Sequence, residues 1–433
     1  MKKKTIAHAV AVVVGGFAAA GASASGFQLL EQNASGLGNA YAGSAAVAED
    51  ASTIYFNPAG MTKLQNYELS VGFNGISPSY KFQNGNSNTG LLTSTGNGGD
   101  AGSLAWLPNG YASARLVDNL YFGLGLGAPF GLKTEYDEPW IGGAQSQMFE
   151  IKTYNVNPSL AYKINDKVSV GVGLNWQKID VDYQRIAGVG PTPIAPGVTV
   201  PLQSFTAKLK ADDTAWGWNV GALFDVSPTT RVGVSYRSQI KYTIEGNLSV
   251  SGPSAAVASS LSSGARADVK LPDTFIVSVT QRLDDRWTMM GDLSYTGWSS
   301  IPKVDIVRTS GAQSGTVAQT LDTNFRDTWR VALGATYKYD DAWSFKYGVA
   351  YDQSPVKNAE SRLTSLPDND RVWLSVGAQY RFAKASRVDL GLSYLFIRDA
   401  NIHNDQSAQG RGVVDGSYSG NVLVFGAQYS QAF

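Results

Sequence analysis

Trp343-Ser344-Phe345-Lys346-Tyr347-Gly348-Val349-Ala350-Tyr351-Asp352 alternates without a slip: Trp, Phe, Tyr, Val and Tyr at the odd positions, small or polar residues at the even ones. Successive side chains of a strand point to opposite faces, so this segment has one apolar, aromatic face and one small or polar face. The same split recurs at Val168, Val170, Val172, Leu174 and Trp176, at Trp329, Val331, Leu333, Ala335 and Tyr337, and again from Val372 to Phe382 and from Val388 to Tyr394. A secreted soluble sandwich also alternates. Two features favour a membrane-spanning barrel. The segments reach roughly ten residues, the length needed to cross hydrocarbon at a tilt. Their aromatic residues gather near the strand ends, where headgroup-level girdles sit. In lipid every backbone group has to be paired, so such a sheet closes on itself.

Outward from this segment the chain reads as strand, turn, strand. Strands are expected near 67–80, 104–116, 119–134, 149–163, 167–184, 213–225, 230–246, 268–283, 286–299, 325–339, 342–352, 370–382, 387–399 and 420–433. That is an antiparallel barrel of fourteen strands, an even number that leaves both ends on the periplasmic side. Tight turns at 163–167, 226–230, 284–285, 340–341 and 384–386 alternate with long polar stretches at 83–102, 135–148, 186–212, 248–267, 301–324 and 400–418, expected as outside loops. The final strand runs into a terminal Phe433, as in outer-membrane barrels read by the barrel-assembly machinery; a simple edge strand is the plainer reading.

The chain opens with Met1-Lys2-Lys3-Lys4, an apolar run over 5–20 and Ala22-Ser23-Ala24. This is a basic region, an apolar region and a small-residue cleavage signal, so residues 1–24 are expected to be a signal peptide; a short membrane anchor is the alternative. The signal holds three Lys and no acid, which takes a formal charge of 0 to −3 in the mature chain. The composition, with 10 Trp, 21 Tyr, 17 Phe, 47 Gly and 16% charged residues, suits a barrel whose wall faces lipid. Without Cys there is no disulfide, thiol catalysis or thiolate metal site. The neutral balance leaves no nucleic-acid footprint. Residues 25–64 differ from all that follows. They are rich in Gly, Ala, Ser and Asn and hold neither strand alternation nor a long helical period. They are expected to fold inside the barrel of residues 65–433 as a plug.

The order and spacing of several short segments resemble the FadL-type long-chain fatty-acid transporters and their aromatic-hydrocarbon-transporting relatives. These are Gly26-Phe27-Gln28-Leu29, Ser35-Gly36-Leu37-Gly38, Asn57-Pro58-Ala59, Leu271-Pro272-Asp273, Asp352-Gln353-Ser354-Pro355-Val356, Leu366-Pro367-Asp368-Asn369-Asp370-Arg371 and Ala432-Phe433. The resemblance covers the whole mature chain. It implies a fourteen-stranded barrel with an N-terminal hatch in the outer membrane of a Gram-negative bacterium, working as a monomer amid lipid and lipopolysaccharide. It also implies a passive transporter, with no cofactor and no enzymatic activity, for long-chain fatty acids or another hydrophobic small molecule. Substrate would land in an outer groove, enter an apolar pocket, and leave sideways at a kink in the third strand once the hatch rearranges.

Particular residues follow. In the third strand, Pro129 between Gly127 and Gly131 cannot donate to a ladder and marks a break in pairing. The resemblance carries the lateral opening to Ala128, Pro129, Phe130 and Gly131; a loop that begins early is the plainer reading. The Gly-x-Gly-x-Gly run before it is not followed by a helix pattern, which sets a nucleotide loop aside. Asn57-Pro58-Ala59 is a turn, with the residue before Pro held extended, and the resemblance makes it a candidate gate against the kink. A fatty acid needs apolar area for its tail and a cation for its carboxylate. Arg185 matches the family's pocket arginine, whereas the position of a second family cation holds Leu321, leaving room for neutral hydrocarbons. Phe27 is a further candidate contact. Trp140, Ile141, Met148 and Phe149 would form the landing groove as an exposed apolar patch, or anchor the protein at the membrane surface. A lipid hydrolase would need a base beside its nucleophile, and His403 is the only mature His. A wet general porin is at odds with the small-residue plug.

Overall fold

The computed structural model describes residues 26–92, 94–190, 192–195, 198–200 and 202–433; the expected signal segment lies outside them. The alternating segments form fourteen staves, β1 (Tyr67–Asn84), β2 (Ala105–Val117), β3 (Leu120–Gly127 and Gly131–Glu135), β4 (Met148–Lys163), β5 (Val168–Val189), β6 (Gln203–Asp225), β7 (Thr230–Arg237 and Ile240–Ser251), β8 (Ser263–Leu271 and Thr274–Arg282), β9 (Trp287–Thr296), β10 (Thr328–Lys338), β11 (Trp343–Asp352), β12 (Arg371–Ala383), β13 (Ser386–Asp405) and β14 (Val413–Ala432). Each pairs antiparallel with the next. The ladder between β1 and β14, from Glu68↔Ala432 to Asn84↔Gly416, closes the barrel.

The outer wall is apolar, with Leu174, Trp216, Leu333 and Leu390 among its exposed side chains. Aromatic pairs ring the short-turn end (Trp287–Tyr337 at 4.7 Å, Trp343–Tyr380 at 4.6 Å) and the far end (Tyr295–Trp329 at 5.1 Å, Tyr394–Phe396 at 4.6 Å). Such a surface belongs in lipid. Among the described residues no helix is long and apolar enough to cross a membrane.

The stretches expected as outside loops are shorter than the sequence suggests. β5 continues to Val189 and β6 begins at Gln203, β7 continues to Ser251, and β13 and β14 reach Asp405 and Val413. Beyond the hydrocarbon both faces of a hairpin meet water, so the alternation that marks a strand fades while its backbone ladder continues.

Residues 26–64 lie within the barrel, with three short helical turns, Leu37–Asn39, Thr53–Phe56 and Pro58–Lys63. Glycines of the wall let this hatch approach closely: a Cβ at Gly348 would strike the Asn39 backbone, and one at Gly377 would lie 2.9 Å from Gly38 Cα. Charged side chains add to the seat. Lys346 Nζ lies 2.8 Å from Glu49 and 3.2 Å from Asp389, and Arg330 Nη2 donates to the Ala40 carbonyl at 2.5 Å. These contacts hold the middle of the hatch against β10 to β13.

Candidate functional site

Above the hatch, inward side chains of the staves line an apolar cavity. Leu132 of β3, Ile151 of β4 and Ile179 and Tyr183 of β5 form one side, and Ile306, Leu321 and Phe325 face them. Phe27 of the hatch forms part of its floor, 4.8 Å from the Trp298 ring and 5.9 Å from Phe130. Strand alternation places Arg185 on the face of Tyr183, one inward position further out. The charges of Arg411 and Arg308 reach Arg185. Arg185 donates to the Ile186 carbonyl at 3.5 Å, Arg411 to Gln406 Oε1 at 3.0 Å, and Arg308 to the Leu261 carbonyl at 2.6 Å. None of these arginines pairs with a carboxylate among the described residues. Tyr183 Oη, held by Gln319 Nε2 at 2.6 Å, stands between them and the apolar wall. The cavity therefore suits an alkyl chain, and its outer end suits an anion.

The lower piece of β3 pairs with β2 up to Gly110↔Leu126, and the upper piece pairs only with β4. The next contact between the two flanks is Glu135 N to Ala101 O at 3.1 Å. Between these points residues 128–130 lie outside the ladder. The first residues of the hatch take the place of the missing partner. Leu29 N donates to Pro129 O at 2.7 Å, Gly131 N to Phe27 O at 2.9 Å, and Gln32 Nε2 to Ala128 O at 2.8 Å.

Several expected residues stand elsewhere. Asn57, Pro58 and Ala59 do not meet the third strand's interruption. Asn57 Nδ2 donates to the carbonyls of Ala45 at 2.7 Å, Ala222 at 3.0 Å and Val234 at 3.4 Å, which sets this turn against β6 and β7. Its amide needs several acceptors at once, and the glycine-lined wall there offers backbone carbonyls; Phe27 to Gln32 meet the interruption instead. Trp140, Ile141, Met148 and Phe149 do not form one exposed patch. Trp140 is buried, stacked on Tyr136 at 4.1 Å with Nε1 donating to Ser146 O at 2.8 Å. With Ile141, Leu92, Ile186 and Leu202 it lines an outer cleft with about 1190 Å³ of open space. Phe149 lines the inner cavity. Met148, its neighbour in the strand, points to the opposite face. Arg308, Arg411 and Gln319 carried no readable signal, because they lie in polar outer segments whose folding only the barrel defines.

An apolar cavity inside a plugged barrel with a lipid-facing wall defines a channel for hydrophobic molecules across an outer membrane. One family description, "Outer membrane protein transport protein (OMPP1/FadL/TodX)", matches residues 15–433. The chain is 31% identical to the long-chain fatty acid transport protein of Escherichia coli K12, over all of this chain and 98% of that one. It is 32% identical to outer membrane protein P1 of Haemophilus influenzae, over 87% of each. Among solved structures it is similar to a Pseudomonas aeruginosa FadL homologue, with a TM-score of 0.85 and 25% identity over 94% of this chain and 99% of that one. It also shares the fold of the Ralstonia pickettii toluene transporter TbuX, with a TM-score of 0.67 and 19% identity over 94% of this chain and all of that one. The chain belongs to the OMPP1/FadL/TodX family of outer-membrane transport proteins. It is an outer-membrane transporter, not an enzyme.

Proposed function

We propose that this protein carries long-chain fatty acids passively across the outer membrane and releases them sideways into lipid. The observation that carries the reading is the apolar cavity lined by Tyr183, with Arg185 one inward position beyond it on the same strand, and no acid paired to Arg185, Arg308 or Arg411 among the described residues. Each methylene buried in the cavity contributes about 0.8 kcal/mol. The carboxylate meets Arg185, where a charge-assisted bond in a partly dry site is strong. The fatty acid transport protein of E. coli, similar along its whole length, supports the same substrate class. Cargo first occupies the cleft of Trp140 and Ile141, then the cavity, and leaves at residues 128–130. Among the described residues, hatch residues 27–32 bridge that place, so a shift of this short segment opens it, while the hatch middle stays on its ion pairs.

A neutral hydrocarbon is the second reading, favoured by Leu321 in the cavity wall, where a cation would otherwise add to Arg185. Substitution of Arg185 separates the two. Arg185→Ala is expected to lower oleate uptake by cells roughly tenfold, the size of one lost charged hydrogen bond, and to leave octane uptake unchanged. Equal loss of both cargoes would make Arg185 a structural residue.

A further inference from the structure

The lower piece of β3 carries glycine at three of its four inward positions, Gly123, Gly125 and Gly127, after Tyr121. Their partners on β4 are Ser159, Asn157 and Asn155. On β2, Ser113 and Tyr111 pair with Gly123 and Gly125, and Asn109 is the next inward residue, beside Gly127. These residues form a furrow with a bare backbone floor and polar walls that ends at Ala128. Hatch side chains fill it. A Cβ added at Gly123 would strike Met61, one at Gly125 would come within 3.3 Å of Ile54, and one at Gly127 would strike Gln32.

The walls are buried yet poorly satisfied. Asn109 is 3% exposed, and neither its Nδ2 nor its Oδ1 has a hydrogen-bond partner among the described residues. Asn155 Oδ1, Asn157 Oδ1, Ser113 Oγ, Ser159 Oγ and Gln32 Oε1 are likewise without partners there. Buried polar atoms left unpaired destabilise a fold, and each calls for an explanation. An asparagine amide holds two N–H donors. At Asn109 both lie free at the mouth of the one place where β2 and β3 part.

We propose that Asn109, beside Gly127 at the end of the furrow, is a transit site for the polar head of the cargo. The inference rests on the reading that cargo leaves at residues 128–130. A carboxylate that departs the arginines is received by the Asn109 amide while its alkyl tail passes into lipid. A neutral amide holds a carboxylate less tightly than a guanidinium does, so the head is passed on rather than trapped. The furrow thus favours amphiphiles with one polar head, and a neutral hydrocarbon gains nothing from it.

Asn109→Leu tests this in the full-length protein. The substitution keeps the side chain's approximate size and removes two unpartnered polar atoms, so the purified barrel is expected to melt no lower than the wild type. Oleate uptake by cells is expected to fall roughly tenfold, with octane uptake unchanged and oleate binding to purified protein unchanged. Asn109→Ser, which restores a donor, should recover most of the oleate uptake. Wild-type oleate uptake in Asn109→Leu, or equal loss of oleate and octane, would overturn the proposal. If Asn109→Leu does not assemble, Asn109→Ala is read by the same criteria. Failure of the exit reading is distinguishable, because locking residues 28 and 130 together would then leave oleate uptake intact.

Discussion

Glu31 shows how one residue of the hatch couples the stability of the fold to pH. It is 1% exposed, and neither carboxylate oxygen has a hydrogen-bond partner from another residue among the described residues. Burial pushes its carboxyl from 4.5 up to about 7, against the opposing pull of Arg371 and Arg330. The neutral acid is thus the form the folded hatch prefers. Its contribution is complete below pH 4.5 and is lost as pH rises to about 7, on the order of 3 kcal/mol in all. Glu31→Gln keeps the neutral form at every pH. It is expected to melt with the wild type at pH 4.5 and several degrees above it at pH 8; parallel curves at both values would place the Glu31 charge in a solvated site. Of the residue assignments, Arg185 came from the family resemblance, since by its local sequence alone it reads as an ordinary loop arginine. Asn109 was not, because an asparagine in a strand reads the same whether its amide is paired or free.

At the scale of elements, the third stave and the first turn of the hatch act as a unit. Residues 27–29 supply β3 with backbone bonds that β2 does not. Gln28 and Phe130 sit opposite each other in an antiparallel bridge. Opposed residues of this kind lie close enough for a disulfide, and the chain has no Cys to interfere. The pair Gln28→Cys and Phe130→Cys is therefore expected to abolish oleate uptake when oxidised and to regain it on reduction. Full uptake by the oxidised protein would mean that cargo leaves elsewhere. Pro129 between two glycines raised the expectation of a break in pairing from sequence. The hatch strand that fills it was unreadable, because Gly26-Phe27-Gln28-Leu29 has no alternation long enough to register and pairs across a hundred residues of chain.

For the whole molecule, closure is the step on which the rest depends, and it joins the two ends of the barrel chain. Phe433 N donates to Tyr67 O at 2.9 Å, while its side chain stays 57% exposed and adds little packing. Deleting Phe433 is expected to reduce the amount of barrel assembled in cells severalfold yet leave the melting temperature of refolded protein within about 2 °C, since one exposed residue contributes only a few tenths of a kcal/mol. A large drop in melting temperature would assign Phe433 to stability rather than to assembly. The number of staves was read beside the family resemblance; by itself the sequence determined the alternating segments, their lipid-facing sides and the separate character of residues 25–64. Those follow from a two-residue period and from local composition, which any single segment displays. Only the tertiary structure decided that Asn57 faces β6 and β7, that Arg308 and Arg411 join Arg185, and that the furrow of β3 is walled by unpaired amides. Those contacts bring together residues tens to hundreds of positions apart, and no local pattern encodes which inward side chains meet once the barrel has closed.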